Sequence, residues 1–186
     1  MPKYDVKGII FSSSCTVYGQ PDVLPATEET PIKKAESPYG NTKQINEEII
    51  ADTIKSGSPI KAILLRYFNP IGAHPTAFIG EMPNGVPQNL IPYLTQTAMG
   101  IRKELSVFGD DYDTPDGSCI RDYIYVVDLA KAHVCAMTRI MEDQTTEPVE
   151  VYNIGTGTGT SVLELINAFE KATGVKLNYK IVGRRA

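Results

Sequence analysis

The sequence has no tryptophan, two histidines and three cysteines in 186 residues. Cys15, Cys119 and Cys135 are odd in number and widely spaced, which excludes a disulfide framework. His74 and His133 complete no zinc pattern with them, so a reduced chain without a structural metal is expected. Long apolar runs are also missing. The longest, around Val6 to Phe11 and Ile60 to Leu65, are strand-sized and far short of the ~20 residues that cross a bilayer. The opening Met1 to Lys7 carries no apolar leader core, which points to a cytoplasmic protein. Positive charge is not in excess: 18 basic and 22 acidic residues leave a net charge of −4. Basic residues form no patch larger than pairs, the last of them Arg184-Arg185 near the end, so nucleic acid is a poor partner. Asp110-Asp111-Tyr112-Asp113 lacks the glycine and terminal glutamate of a calcium loop and reads as a solvated turn.

What is present is an ordinary globular composition, 42% hydrophobic and 22% charged. Val6 to Phe11 reads as a buried parallel strand running into Ser12-Ser13-Ser14. After a proline-rich loop, a helix is expected from Tyr39 to Lys55, with Ile45, Ile49, Ile50 and Ile54 at helical spacing and Glu47-Glu48 facing out. Further strands are expected at Ile60–Tyr67, Glu104–Phe108, Ile120–Val127, Val149–Ile154 and Lys176–Val182. Helices are expected at Asn89–Met99, from Asp128 as cap to Met141, and at Ser161–Ala172, with an irregular loop over Asn69–Val86. The alternation argues an α/β fold with a largely parallel sheet.

Tyr39 and Lys43 stand four apart on the first helix, so they share one face about a turn apart. An ammonium beside a phenol favours the phenolate, and such a tyrosine can serve as a general base toward an alcohol. Alone the pair says little, since many helices carry one. Upstream, Ser12-Ser13-Ser14 lie at the C-terminal end of a buried strand, where ligands bind in open α/β sheets. A serine there can hydrogen-bond a substrate oxygen alongside the tyrosine.

Ser, Tyr and Lys in this arrangement resemble the triad of the extended short-chain dehydrogenase/reductase superfamily. The stretches Ser12-Ser13-Ser14-Cys15-Thr16-Val17-Tyr18-Gly19, Pro38-Tyr39-Gly40-Asn41-Thr42-Lys43, Leu65 to His74, Arg121-Asp122-Tyr123-Ile124 and Tyr152 to Gly157 resemble the UDP-glucose 4-epimerase family, its bacterial type in particular. The resemblance runs in order along essentially the whole chain and implies a partial Rossmann-like parallel sheet with part of a smaller α/β substrate-binding domain. It implies Ser14, Tyr39 and Lys43 as catalytic residues, with Tyr39 taking the proton of the sugar 4-hydroxyl and Lys43 also holding the nicotinamide ribose. NAD is the implied cofactor, contacted by Ser12, Tyr39, Lys43, Tyr67 and Phe68. Ser14, Asn69, Asn89, Leu90, Phe108, Arg121 and Arg185 match positions that hold the UDP-sugar. The two arginines also make independent sense, because a diphosphate needs positive charge. The implied reaction interconverts UDP-glucose and UDP-galactose through a 4-keto sugar, with NAD taking the C4 hydride and returning it to the other face. A homodimer is the implied assembly of the complete protein, built with the helix Tyr39–Lys55.

Related chemistries can be weighed on the same residues. Sugar-nucleotide dehydratases carry an Asp-Glu pair after the catalytic hydroxyl residue, where this chain has Cys15-Thr16. A UDP-uronate 4-epimerase differs only in the substrate's C6, and the resemblance favours the neutral hexose. A non-catalytic remnant or nucleotide-sugar-binding module is the alternative from another class.

A dinucleotide site also needs a glycine-rich strand-to-helix turn, with an acid about 20 residues on. Gly155-Thr156-Gly157-Thr158-Gly159 has the wrong spacing and reads as a tight structural turn. The chain opens on a strand of buried type and stops soon after another, so it is expected to be a fragment, inactive alone and prone to aggregate through an open sheet edge. The expected division assigns 1–74 and 120–154 to the NAD-binding domain and 75–119 and 155–186 to the UDP-sugar-binding domain.

Overall fold

The computed structural model describes residues 4–184. Three strands form its first sheet in the order β1-β2-β6: β1 (Gly8–Ser14), β2 (Lys61–Tyr67) and β6 (Val149–Ile154), all parallel. Ala62 to Arg66 of the central β2 are all buried, the continuous burial of a parallel strand covered on both faces. Successive side chains alternate between those faces. Ala62 and Leu64 join Ile54 and Ile60 in a core packed by Ile9, Phe11 and Ile50, under α1 (Pro38–Lys55). Ile63 and Leu65 join Ala136 and Ile140 of α3 (Val126–Met141) on the other side. Ser14 stands level with Tyr67, so β1 and β2 end side by side.

A second core gathers Leu94, Leu105, Val107, Ile166 and Leu177. It lies among α2 (Leu90–Ala98), α4 (Val162–Thr173) and the parallel pair β4 (Leu105–Phe108) and β8 (Tyr179–Val182). Between the two cores runs a small sheet. Its β5 (Ile120–Tyr125) pairs in parallel with β3 (Asn69–Ile71) and antiparallel with β7 (Gly159–Ser161). β3 begins one residue after β2 and β7 leads directly into α4, so this sheet joins the halves. Ser161 opens α4 with a reciprocal capping box, accepting from Glu164 N at 3.0 Å while Glu164 accepts from Ser161 N at 2.8 Å.

Several expectations need correction. Glu47 does not face out: it is 5% exposed, paired with Arg66 beneath α1. Ile45 and Ile49 are 45% and 57% exposed, because the face bearing Gly40, Glu47 and Ile54 is the one laid on the sheet. A buried carboxylate with matched donors thus turned the helix away from a simple apolar reading. Asp128 does not cap α3. β5 passes straight into the helix with Tyr125 at the cap, and Asp128 sits in the first turn, where it favours the helix dipole. The stretch over Asn69–Val86 begins with β3, and Cys15–Tyr18 forms one turn of 3-10 helix. Among the described residues no helix is long and apolar enough to cross a membrane.

Candidate active site

Ser14 ends β1, 6% exposed, and its Oγ accepts from Thr16 N at 3.3 Å to start the 3-10 turn. α1 approaches this turn with its N-terminus. Ser37 caps the helix by accepting from Gly40 N at 3.1 Å, with Pro38 in the first turn. A Cβ on Gly40 would lie 3.2 Å from the Thr16 carbonyl oxygen, so the glycine permits the close approach. Tyr39, 52% exposed, is thereby set in the first turn facing solvent. One turn on, Lys43 Nζ donates to the Ser12 carbonyl at 2.8 Å and lies 5.4 Å from the centre of the Tyr39 ring and 5.1 Å from that of Phe11. Ser12, Ser14, Tyr39 and Lys43 therefore belong to one place, the C-terminal end of β1 and the helix end beside it. Tyr67 is at the same level on β2, and Phe68 follows with its N–H on the Ile154 carbonyl at 3.1 Å.

Ser12 has a further partner that sequence reasoning missed. Its Oγ is 3.0 Å from His133 Nε2, and His133 Nδ1 is 2.9 Å from the Leu129 carbonyl. A carbonyl only accepts, so Nδ1 carries the proton and, in the neutral ring, Ser12 donates to Nε2. The two residues are 121 positions apart, and no local pattern announces the contact. The Thr16 hydroxyl is buried and has no hydrogen-bond partner among the described residues. A buried orphan of this kind beside Ser14 suits a site that receives a polar ligand.

Asn69, Asn89, Leu90, Phe108 and Arg121 all line one cavity of about 960 Å³, a size suited to a nucleotide-sized ligand. They come from β3, the α2 cap, α2, β4 and β5. Asn89 occupies the cap position of α2 without spending its side chain there. Arg121 bonds only the neighbouring Ile120 carbonyl, at 2.8 Å, and has no carboxylate within ion-pair distance among the described residues. Ser14, Tyr39 and Lys43 are not part of this lining. Burial pushes the Cys15 thiol up, and the adjoining Ser14 and the charge of Arg121 pull it partly back. Arg185 lies outside the described residues. Its neighbour Arg184 bonds Asp111 at 2.8 Å and sits 4.2 Å over the ring of Tyr112, which lines the cavity.

The glycine-rich turn after β6 has its amides occupied. The Asp122 carboxylate accepts from Thr156 N at 2.9 Å, from Gly157 N at 2.9 Å and from Thr156 Oγ1 at 2.6 Å. These are the donors a pyrophosphate would need. Asp122 is a structural clamp that sequence reasoning passed over inside the Arg121-Asp122-Tyr123 stretch.

The family described as NAD dependent epimerase/dehydratase matches residues 1–155. The chain belongs to that family. It is 55% identical over 185 residues to UDP-glucose 4-epimerase 2 of Arabidopsis thaliana, covering 100% of this chain and 52% of the relative. It is 51% identical over 185 residues to UDP-glucose 4-epimerase of Bacillus subtilis strain 168, covering 100% and 53%. The crystal structure of UDP-glucose 4-epimerase from Bifidobacterium longum in complex with NAD+ and UDP superposes with a TM-score of 0.92 at 53% identity, over 100% of this chain and 54% of that one. The likeness thus extends to plants as well as bacteria. The chain spans about half the length of the curated relatives it matches.

Proposed function

We propose that this chain carries the catalytic residues and much of the sugar-nucleotide site of an NAD-dependent UDP-glucose 4-epimerase, an isomerase of UDP-glucose and UDP-galactose. The observation that carries the reading is the gathering of Ser14, Tyr39 and Lys43 at the end of β1, in a chain whose Arg121 lines a cavity of nucleotide size. High identity to UDP-glucose 4-epimerases along the full chain supports it.

Tyr39 takes the proton of the sugar 4-hydroxyl and later returns it, and Ser14 Oγ hydrogen-bonds the same oxygen. Lys43, tethered to the Ser12 carbonyl, holds its Nζ beside the Tyr39 ring. Arg121 and Arg185 neutralise the diphosphate, while Asn69, Asn89, Leu90 and Phe108 hold the rest of the nucleotide-sugar. Anchoring at the diphosphate leaves the sugar free to turn and present its other face. The residues fit NAD: Ser12, Tyr39, Lys43, Tyr67 and Phe68 would hold its nicotinamide end, near the Thr16 hydroxyl that has no partner among the described residues. When bound, NAD supplies the hydride acceptor and donor for C4. No acid pair follows Ser14, which favours epimerisation over dehydration.

The same reading divides the chain into 1–74 with 120–154 on the cofactor side and 75–119 with 155–186 on the sugar side, each with its own apolar core. Outward Ile45 and Ile49 on α1 suit a homodimer helix, and three free cysteines suit the reducing cytoplasm.

The test uses the full-length natural polypeptide that carries this chain, assayed for conversion of UDP-galactose to UDP-glucose with NAD. Tyr39→Phe is expected to lower kcat by about 10²–10⁴, the range for a lost general base, with an unchanged circular-dichroism spectrum because the phenol is half-exposed. Undiminished turnover in this variant refutes the assignment. UDP binding without any turnover in the parent protein establishes the binding-module reading instead.

A further inference from the structure

Beneath the site lies a buried ion pair that the proton chemistry does not use. Glu47 and Arg66 are each 5% exposed. Arg66 donates from Nε to Glu47 Oε1 at 3.0 Å and from Nη2 to Oε2 at 2.6 Å. Ser13 Oγ, fully buried, donates to the same Oε1. The third arginine donor, Nη1, reaches the Tyr18 hydroxyl at 3.0 Å, and Tyr18 donates onward to Asn153 Oδ1 at 2.7 Å. The network joins α1, β1, β2, the 3-10 turn and β6.

Its members alternate along the chain with the site residues. Glu47 is one turn beyond Lys43 and two beyond Tyr39, so all three share a helix face. Ser13 stands between Ser12 and Ser14, and Arg66 precedes Tyr67. The apolar contacts of α1, from Ile50 and Ile54, hold the helix on the sheet without direction. A planar guanidinium on a carboxylate does have direction, and it sets where along and around its axis the helix rests. A buried ion pair is also a weak source of net stability, since an apolar pair of like volume often serves as well. Register is what this pair supplies that an apolar pair cannot.

We propose, resting on the epimerase reading above, that Glu47 and Arg66 are positioning residues that hold Tyr39 and Lys43 against Ser12 and Ser14. They touch neither substrate nor cofactor and act through the placement of α1.

The test replaces both charges at once, so that neither is left buried alone: Glu47→Met with Arg66→Met in the full-length natural polypeptide. The expected result is a folded protein whose kcat falls tenfold or more while KM for UDP-galactose stays within twofold. Added to Tyr39→Phe, the double replacement is expected to cost less than it does in the parent, because the part of its effect that acts through Tyr39 is already lost. A kcat within twofold of the parent, or a full additive loss in the Tyr39→Phe background, overturns the proposal. If the double variant does not fold, Glu47→Asp decides: it keeps the charge but draws the carboxylate back by one methylene. Reduced kcat at unchanged KM supports positioning, and unchanged kcat overturns it. A crystal structure of the folded variant gives an answer independent of activity. Loss of the Lys43 Nζ contact to the Ser12 carbonyl supports the proposal, and its retention refutes it. Failure of the parent protein to epimerise refutes the functional reading alone.

Discussion

Glu150→Gln is expected to lower stability at neutral pH and to remove one component of its acid dependence. Glu150 lies on β6, 7% exposed, and its carboxylate accepts five hydrogen bonds. Arg139 of α3 gives two of them, Nε to Oε2 at 2.6 Å and Nη2 to Oε1 at 2.9 Å. Thr146 adds its backbone N–H at 2.8 Å and its hydroxyl at 3.2 Å, and the Tyr152 hydroxyl adds one at 3.1 Å. The Arg139 guanidinium, helped by the Thr146 and Tyr152 donors, holds the Glu150 carboxyl down from 4.5 to about 2. Glutamine would keep the shape but turn an amide group toward the guanidinium, donor against donor.

The sign follows from the depressed folded-state value. Protonation of the unfolded chain begins near pH 4.5, while the folded protein keeps its carboxylate to about pH 2. The stabilisation is therefore complete above about pH 4.5 and drains away between there and pH 2. At ~1.4 kcal/mol per pH unit the full displacement is worth at most about 3–4 kcal/mol. The side chain of Arg139 is 31% exposed, so solvent screening lowers this to about 2 kcal/mol. For a chain of this length, each 1 kcal/mol moves the melting midpoint by about 2–4 °C. Thermal melts followed by circular dichroism should place Glu150→Gln about 4–8 °C below the parent at pH 7. At pH 3 the gap should shrink by half or more. An equal gap at both pH values, or a wider one in acid, refutes the reasoning.

Two further substitutions probe consecutive residues of β5. Arg121→Ala is expected to weaken UDP binding tenfold or more by calorimetry, the loss of one charge-assisted contact to phosphate. The ligand-free melting point should hold within about 1 °C, as for a surface substitution, since Arg121 bonds only its neighbour's carbonyl; an unchanged UDP affinity counts against the cavity assignment. Asp122→Ala removes the acceptor of Thr156 and Gly157 and is expected to cost about 1–3 kcal/mol. Hydrogen exchange at those two amides should quicken, and unaltered exchange would show that the clamp does not hold the turn.

What could be read from sequence was whatever local pattern encodes. The run at Ile60–Tyr67 announces a buried strand because both of its faces are covered, and the β-rich run Val149–Ile154 announces a strand at the sheet edge; they lie within a residue of the observed β2 and β6. Tyr39 and Lys43 declare a shared face because four residues make about one helical turn. Glu47 could not be placed this way. Beside Glu48 it continues a polar surface, and its burial depends on Arg66 and Ser13, 19 and 34 positions away. The contact between Ser12 and His133 is equally non-local. The cavity residues come from four places in the chain, Asn69, Asn89-Leu90, Phe108 and Arg121, and no spacing joins them; family resemblance grouped them. β7 is absent from the sequence reading, which ends a turn at Gly159 and starts a helix at Ser161, because a three-residue strand holding a glycine has no period to detect; it exists through its pairing with β5.

The pair Arg121-Asp122 shows how β5 divides two duties between neighbours. Adjacent residues of a strand point to opposite sides. Arg121 turns to the cavity, where it forms no ion pair among the described residues, and Asp122 turns to the Thr156–Gly157 amides. Both residues also pair with β7, Arg121 with Thr160 and Asp122 with Gly159. The carboxylate that closes the turn is thus covalently next to the guanidinium offered to a diphosphate, yet on the other side of the strand. Asp122 can therefore anchor the turn without neutralising the charge the cavity needs. Had the two residues been exchanged, the cavity would present a carboxylate to phosphate and the turn amides would face a cation. A one-residue slip of β5 against β7 would have the same effect, which makes their register as necessary to the site as the arginine itself.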